Sequence, residues 1–195
     1  MSRYGIFRGR FQPFHLGHLE QCRRIARLHP VLVIAVAIVK RDIKLEEVAT
    51  WVERSVAEEI VESFRSINNP YSFLEAQEMI TEALLEDGLE RSRFYVVPHF
   101  PPLVFPEKLE LLTMPPKDLS VLYVPPKGIH NIAAPKIYSE RGWRVRVPAI
   151  AREHSGTEIR KIIETHGALR DLVPPSVERY LDQLRASRGG PNSNK

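Results

Sequence analysis

Apolar positions along this chain alternate between short continuous runs and helical repeats. Residues 4–7 form a short apolar run ahead of Gly9, and residues 31–39 form an unbroken run of nine apolar side chains. Between these runs, apolar residues recur at three- and four-residue steps from Leu16 to Leu28. A buried strand, an amphipathic helix and a second buried strand in this order predict a parallel βαβ unit.

The alternation continues towards the C-terminal part of the chain. A long amphipathic helix is predicted for residues 43–66, and residues 98–116, which contain six prolines, are predicted to be mostly loop with one helical turn near 107–112. Further strands are predicted at 94–97, 121–124 and 143–147, and further helices at 72–87, 133–141, 156–165 and 175–186. Strands that alternate with helices predict an α/β fold: a doubly wound parallel sheet with helices on both faces. Ligands of such sheets bind at the carboxyl ends of the strands.

Length and composition restrict the class of protein. The 195 residues, 43% hydrophobic and 27% charged, suit one globular domain with an insertion or a tail and exclude wholesale disorder. A single cysteine, Cys22, excludes an intrachain disulfide, and its place on an apolar helix stripe favours a core role over a nucleophile. No apolar run is long enough for a membrane span and no signal peptide is apparent, so we expect a cytoplasmic protein without a membrane partner.

The net charge of +4 is unevenly distributed along the chain. Residues 1–30 carry six arginines against one acidic residue, and residues 136–170 carry eight basic and four acidic residues. The middle, residues 31–135, holds ten basic and sixteen acidic residues. If the two basic segments meet in space they form an electropositive site suited to phosphates; otherwise they are two solvated surfaces. A nucleic-acid interface is less favoured, because the basic residues are not interleaved with exposed aromatic residues.

Candidate chemistry lies directly after the first predicted strand. The segment GRFQPFHLGH, residues 9–18, ends the strand and opens the first helix. His15 and His18 are three residues apart and share one face of the first helical turn. A helix start offers unpaired N–H groups and the positive end of the helix dipole, and Gly17 between the histidines allows close approach to the backbone. The pattern favours a phosphate site, with one core and one surface histidine as the structural alternative.

This motif resembles the His-x-Gly-His signature of a nucleotidyltransferase superfamily, and its form is very similar to that of archaeal nicotinamide-mononucleotide adenylyltransferases. A second signature of that superfamily, a Ser/Thr-rich turn that ends in arginine, corresponds to HSGTEIR at residues 154–160. Ser155 and Glu158 also match a helix capping box. The segment Asn-Pro-Tyr-Ser at 69–72 resembles a helix entry of the family, and Ser72 with Glu75 matches a capping box there. The resemblance covers the chain except residues 40–66 and the tail.

The resemblance implies a Rossmann-like nucleotidyltransferase fold and transfer of AMP from ATP to a mononucleotide, with NAD and pyrophosphate as products. It implies that His15, His18 and Arg160 are catalytic and that Mg²⁺ arrives with ATP, without a metal site built from protein ligands. The remaining residues implied to bind ATP are Gly9, Arg10, Phe11, Gly17, Ser155, Gly156 and Thr157. Residues expected to bind the acceptor are His99, Phe100 and Asn131, which follow predicted strands.

Several segments depart from the family pattern and keep alternatives open. Residues 40–66 stand where relatives have a short Gly-Ser-rich loop, and the tryptophan that follows the third strand in relatives is missing. The acceptor could therefore be flavin mononucleotide, phosphopantetheine or a phosphoalcohol, and a nucleotide-binding regulatory module without turnover is a further alternative. We expect residues 1–187 to form the domain, with 40–66 as a helical insertion and 188–195 as a disordered tail. The partners expected are ATP and the acceptor, without nucleic acid, in a homo-oligomer.

Other histidines and tryptophans have weaker indications. His99, His130, His154 and His166 could line the cleft, and His29, just ahead of Pro30, is expected in a surface loop. Trp51 and Trp143 are expected in the core or at an interface. No P-loop and no GxGxxG fingerprint occurs in the sequence, so neither of these phosphate-binding motifs competes with residues 9–18.

Overall fold

The computed structural model describes residues 2–38, 43–50, 52–101, 114–125, 129–148 and 155–188, with the backbone alone for 129–133 and 188. Its strands are β1 (Tyr4–Gly9), β2 (Val31–Ala37), β3 (Phe94–His99), β4 (Ser120–Tyr123) and β5 (Val145–Arg146). They form one parallel sheet in the order β3-β2-β1-β4-β5. The chain winds outward from β1 to β3 and then crosses back to β4, so the switch point lies between β1 and β4.

Helices cover both faces of this sheet, as the alternation of strands and helices predicts. The helices are α1 (Leu16–Leu28), α2 (Leu45–Ala49), α3 (Arg54–Ser63), α4 (Phe73–Glu86), α5 (Ile129–Glu140), α6 (Gly156–Glu164) and α7 (Pro175–Arg188). Helices α1, α4, α6 and α7 contribute to one core cluster, and α5 contributes to a cluster on the opposite face. No helix in the described part of the chain is both long enough and apolar enough to cross a membrane.

The alternation of side chains in β1 separates the two clusters. Phe7 packs with α1 and α4, whereas Ile6 packs with Tyr138 of α5 and with Trp143. The strand β2 is buried along its whole length, as its unbroken apolar sequence predicts. The turn that follows β1 therefore lies at the carboxyl edge of the sheet, between the helical layers on its two faces.

Local signals at α4 are confirmed. Ser72 Oγ accepts a hydrogen bond from Glu75 N at 3.2 Å, and the Glu75 carboxylate accepts from Ser72 N at 2.7 Å. This is the capping box that the sequence predicts. Gly88 has φ of +84°, a left-handed conformation that glycine adopts without strain, and it ends the helix.

The prediction of one long helix over residues 43–66 is wrong. Two helices, α2 and α3, are present, and Glu53 between them has an extended backbone with ψ of 148°. Val48 of α2 and Ile60 of α3 contribute to the same small cluster, together with Phe64 and, in part, Phe100. In a straight helix Val48 and Phe64 would lie about 24 Å apart along the axis, so the break allows these side chains to pack together.

Smaller differences concern element ends and one histidine. Helix α5 begins at Ile129, four residues before the predicted start, and β5 is shorter than predicted. His29 does not lie in a surface loop: it is buried, and its Nε2 lies 2.9 Å from the hydroxyl of Tyr123. Burial follows because His29 caps the C-terminal end of α1 against β4. Trp143 is in the core; Trp51, the predicted turn near 107–112 and residues 189–195 lie outside the described residues.

Candidate functional site

The turn between β1 and α1 is built around aromatic rings. Phe11 takes the left-handed backbone conformation with φ of +53°, and its ring packs edge-on against Phe7 at 5.4 Å between centroids. Phe11 and Phe14 are buried, with 1% and 0% of their surface exposed. The ring of Phe11 therefore supports the turn from within the core and does not line an open surface. A side chain at Gly9 would meet that ring at 2.9 Å, which explains why glycine ends β1.

His15 and His18 lie together at the first turn of α1, as their spacing predicts. Their rings stack with centroids 3.6 Å apart, and both side chains are buried. His15 is the N-cap residue, and its backbone N–H donates to His18 Nδ1 at 3.3 Å. A neutral His18 that accepts at Nδ1 carries its proton on Nε2, so it presents an N–H donor there. Gly17 lies between them in the first turn and is partly exposed.

Gln12 fastens this turn to the segment ahead of α4. Its side-chain Nε2 donates to Tyr71 O and its Oε1 accepts from Tyr71 N, both at 2.9 Å. Gln12 is 5% exposed, so both hydrogen bonds are shielded from water. The clamp fixes the position of the turn relative to α4.

The first and second signature segments meet at Arg160. Arg160 Nη1 donates to Gln12 O at 2.8 Å, and Nη2 donates to Asn68 Oδ1 at 3.2 Å and to Thr157 Oγ1 at 3.1 Å. The start of α6 is close-packed against the turn, because a side chain at Gly156 would meet Gln12 O at 3.2 Å. The start of α6 thus lies against the turn that leads into α1.

Ser155 begins α6 in the way that the sequence predicts. Its Oγ accepts from Glu158 N at 3.3 Å, and the Glu158 carboxylate accepts from Ser155 N at 2.6 Å. The predicted phosphate-binding residues Ser155, Gly156 and Thr157 form the first turn of this helix. His154 lies outside the described residues.

Positive charge collects at this edge of the sheet. The guanidinium group of Arg10 donates to Ser63 O, and burial together with Arg160 and Arg8 lowers the pKa of Arg10 to about 10. Burial also lowers the pKa of Arg160. The acceptors of both arginines are neutral oxygens, and within the described ranges neither forms an ion pair. Both side chains remain charged at neutral pH, which produces a positive potential that an anion would relieve.

The residues predicted to bind the acceptor lie on other elements. His99 ends β3, is 5% exposed, and its Nε2 and the hydroxyl of Tyr138 form a hydrogen bond of 2.6 Å. Phe100, the next residue, is half-buried against the cluster of α2 and α3. Asn131 lies in the first turn of α5, where its side chain and that of His130 lie outside the described part.

Two further candidates have no part in the site. Cys22 is fully buried in α1, and burial raises the pKa of its thiol, so it is a core residue and not a nucleophile. His166 is exposed in the turn after α6. The described residues contain no cluster of three His, Cys, Asp or Glu side chains that could hold a metal ion.

Three functional contacts are not apparent from the sequence: the Gln12 clamp, the Asn68 contact to Arg160, and the approach of Arg8 to Tyr138. Arg8 Cζ lies 5.3 Å from the ring centroid of Tyr138. A charged residue at the end of an otherwise apolar strand is the one signal that could have indicated Arg8. The Gln12 and Asn68 contacts join residues far apart in the chain, and spacing carries no information about them.

The parallel sheet with helices on both faces defines a Rossmann-like α/β protein, and the helix starts, imidazoles and arginines at its carboxyl edge form an environment that is suited to anions. The family model described as cytidylyltransferase-like matches residues 6–162. The chain belongs to this family of nucleotidyltransferases.

Individual proteins similar to this chain include two nucleotidyltransferases and one solved structure. The chain is 28% identical to the nicotinamide-nucleotide adenylyltransferase of Saccharolobus solfataricus, over 96% of this chain and 94% of that protein. It is 30% identical to the phosphonoformate cytidylyltransferase of Streptomyces viridochromogenes, over 92% of this chain and 90% of that protein. Among solved structures, a bifunctional NMN adenylyltransferase/ADP ribose pyrophosphatase from Francisella tularensis shares the fold with a TM-score of 0.65 at 16% identity. The match covers 95% of this chain and half of that one.

Proposed function

We propose that this protein is a nicotinamide-nucleotide adenylyltransferase, which transfers AMP from ATP to nicotinamide mononucleotide and yields NAD and pyrophosphate. The observation that carries the proposal is the stacked pair His15 and His18 at the N-terminus of α1, preceded by a turn that accepts a hydrogen bond from Arg160 of α6, with Arg10 near Arg160. The archaeal relatives are named nicotinamide-nucleotide adenylyltransferase, and the similarity covers 94% and 85% of the length of two of them.

The reaction needs no nucleophile from the protein. An oxygen of the acceptor phosphate attacks the α-phosphorus of ATP; the new P–O bond forms as the bond from the α-phosphorus to the bridging oxygen breaks, and pyrophosphate leaves. Catalysis then consists of holding both phosphates in line and stabilising the charge on the transferring group. Hydrogen-bond donors and cations are the groups that this task requires.

His18 donates from Nε2 to the oxygens of the α-phosphoryl group. Its Nδ1 accepts from the backbone of His15, so the proton on Nε2 is fixed by the fold and needs no rearrangement during the reaction. His15 stacks on His18 and contacts the phosphate chain from the N-cap position. Gly17, which is partly exposed, allows the phosphates to approach the backbone, and Gly9 contributes by leaving room for the ring of Phe11 that supports the turn.

Arg160 and the first turn of α6 hold the β- and γ-phosphates. Three hydrogen bonds from Arg160 to protein oxygens orient the guanidinium plane, and its remaining N–H donors are available to phosphate. Gly156 and Thr157 supply the N–H groups of the helix start, and Ser155 holds the helix end in place through its capping box with Glu158. Arg10 adds charge at the exit from β1.

The groove beside α1 offers room for the nucleoside. A cavity of about 320 Å³ lies between α1 and the ends of β4 and β5, lined by residues that include Gln21, Tyr123 and Arg146. Gln21 is 2% exposed, and its Oε1 has no hydrogen-bond partner among the described residues. An exocyclic amino group on a nucleobase would satisfy that oxygen.

Mg²⁺ belongs to the substrate in this proposal, bound to the phosphates of ATP, since magnesium prefers phosphate oxygens and retained waters. Residues 1–187 form the catalytic unit, with 40–66 as an insertion whose α3 supplies the carbonyl that binds Arg10. On the acceptor side we place His99 at the end of β3, Phe100 directly after it, and Asn131 in the first turn of α5.

Pyrophosphate release tests the proposal. Purified protein with MgATP is assayed with nicotinamide mononucleotide, its nicotinate analogue, flavin mononucleotide and phosphopantetheine, and the same acceptors are repeated with MgCTP. We expect release with ATP and nicotinamide mononucleotide, and NAD as the product. Equal or faster release with CTP would contradict the adenylyl donor, and ATP binding without release for any acceptor would favour a regulatory module.

A further inference from the structure

Arg8 is a second cation at the end of β1, on the face opposite His15 and His18. It alternates with Phe7 and so points to the same face as Ile6, towards α5. Its Cζ lies 5.3 Å from the ring centroid of Tyr138. This places a charged side chain at the rim of an otherwise apolar cluster.

Among the described residues, Arg8 has no acidic partner. Its Nε is buried and has no hydrogen-bond partner among the described residues. His99 lies beside it, hydrogen-bonded to Tyr138, and burial together with Arg8 lowers the pKa of His99 to about 3, so His99 is neutral at physiological pH. Within the described ranges, no carboxylate forms an ion pair with Arg8. A buried donor without an acceptor is unfavourable, and an anion is the partner that best compensates it.

The position of Arg8 connects this cluster to the triphosphate site. Arg10 lies close enough to both Arg8 and Arg160 for each to lower its pKa. Positive charge at the end of β1 is therefore shared by three neighbouring arginines: Arg160 of α6, Arg10, and Arg8 beside Tyr138 of α5. A donor nucleotide held against α1 and α6 leaves the α5 side for the second substrate.

We propose that Arg8, with His99 and Tyr138, forms the subsite that binds an anionic oxygen group of the acceptor, either its phosphate or a ring carboxylate. The inference rests on the proposed function, since it takes the ATP side of the site as given. It assigns Arg8 to the acceptor and not to ATP. Tyr138 Oη and the neutral imidazole of His99 supply further hydrogen-bonding groups beside the guanidinium.

The test compares Arg8→Met, which keeps an apolar stem without charge, with Arg8→Lys, which keeps a charge without the Nε donor. Arg3→Met is the matched control, because Arg3 is an exposed arginine at the other end of the same strand segment and lies 5.5 Å from the ring of Tyr4. Calorimetric affinity and KM are measured for ATP, nicotinamide mononucleotide and nicotinate mononucleotide, and thermal melts establish that each variant folds.

We expect Arg8→Met to weaken acceptor binding about tenfold or more, while its ATP affinity stays within about twofold of wild type. The acceptor affinity of Arg8→Lys should lie between those of wild type and Arg8→Met. Equal weakening for both mononucleotides identifies the phosphate as the bound group; weakening confined to the nicotinate form identifies the carboxylate. Unchanged acceptor affinity in folded Arg8→Met, or an equal loss for ATP, would overturn the inference. If wild-type protein binds the mononucleotides without turnover, the proposed function fails while the subsite remains testable by affinity.

Discussion

His18 is held by rings on several sides, and this packing sets the direction of its donor. The ring centroids of Phe11, Phe14 and His15 lie 4.9, 5.6 and 3.6 Å from that of His18. A donor held in this way acts without reorganisation when charge develops in the transition state. The same packing means that His18 contributes to stability, in addition to the chemical role proposed for it.

Replacing His18 by alanine is expected to lower turnover by about 10² to 10³, the usual effect of removing one preorganised donor. ATP affinity should fall much less, because Arg10, His15 and Arg160 remain. The measurements are kcat, the Kd for ATP and a melt, with His166→Asn as a control at an exposed histidine. Near-wild-type turnover in folded His18→Ala would remove this residue from the chemistry.

Arg160→Lys keeps the charge but loses the planar guanidinium group, which donates hydrogen bonds to Gln12, Asn68 and Thr157. We expect kcat/KM for ATP to fall about tenfold or more, together with a lower Tm, since a point charge cannot replace several directed hydrogen bonds. Kinetics at varied ATP and a melt measure the two effects. The neighbouring Lys161 is exposed, so Lys161→Arg is the conservative control and should behave as wild type. Unchanged kinetics in Arg160→Lys would show that the guanidinium group has no part in ATP binding.

The neutral His99 makes stability depend on pH. Burial, reinforced by Arg8, lowers the pKa of His99 from 6.5 to about 3. Between these values the unfolded chain binds a proton that the folded chain does not, so the contribution is present above pH 6.5 and is lost as pH falls. At pH 5 the expected loss is about 2 kcal/mol. Urea unfolding at pH 7.5 and 5.0 should show this loss in wild type and a smaller one in His99→Gln; equal losses would contradict it.

At the scale of residues, residue types and spacing predict how several side chains of the candidate site are placed. His15 and His18 on one helical face follow from their spacing, and the stacked rings confirm it. The environment of His99 could not be predicted, because it depends on Tyr138, which is 39 positions away in sequence. Burial of His29 was missed for the same reason.

At the scale of elements, the turn after β1 is a rigid connector because Gln12 binds both backbone groups of Tyr71. Gln12→Ala leaves a buried N–H and a buried carbonyl without these partners. We expect a loss of about 1–3 kcal/mol in unfolding free energy and a lower kcat, since the turn carries His15. Gln77→Ala, which removes a single partly buried hydrogen bond to Val96 O, is the control and should have a smaller effect on both quantities. Equal effects of the two variants would show that the clamp has no special role.

Element prediction succeeded where local chemistry decides the outcome and failed where packing does. The capping boxes at Ser72 and Ser155 were predicted correctly, because capping involves residues three positions apart. The break between α2 and α3 could not be predicted, because apolar periodicity continues through it. What divides the helix is the shared cluster of Val48 and Ile60.

For the whole molecule, the two basic segments of the sequence do meet. Arg10 belongs to the first and Arg160 to the second, and they lie close enough for Arg160 to lower the pKa of Arg10. The choice between an electropositive site and two separate solvated surfaces, which charge counting leaves open, is thereby decided for these residues. The sequence indicates which segments carry charge, whereas the switch point of the sheet determines that they converge.

Trimming the chain after Ser187 tests the domain limits. The removed residues, RGGPNSNK, contain no apolar anchor, so we expect Tm and turnover to stay near those of the full chain. The control removes the chain after Val177, which takes away Leu181, a buried side chain of α7, and should prevent folding. A large drop in Tm for the shorter truncation would show that the last eight residues contribute to the fold.

The hydrogen bond from Arg160 to Gln12 spans 148 positions, and this separation has a consequence for how the protein is made. During synthesis Gln12 and the imidazole pair are made before the rest of the sheet, whereas Arg160, which donates to Gln12 O, is added only after β5. At about 5–20 residues per second, the wait lasts roughly 7–30 s. Throughout that interval a nascent chain contains β1 and α1 but lacks Arg160, so the complete proposed phosphate site can form only after residue 160 has been added.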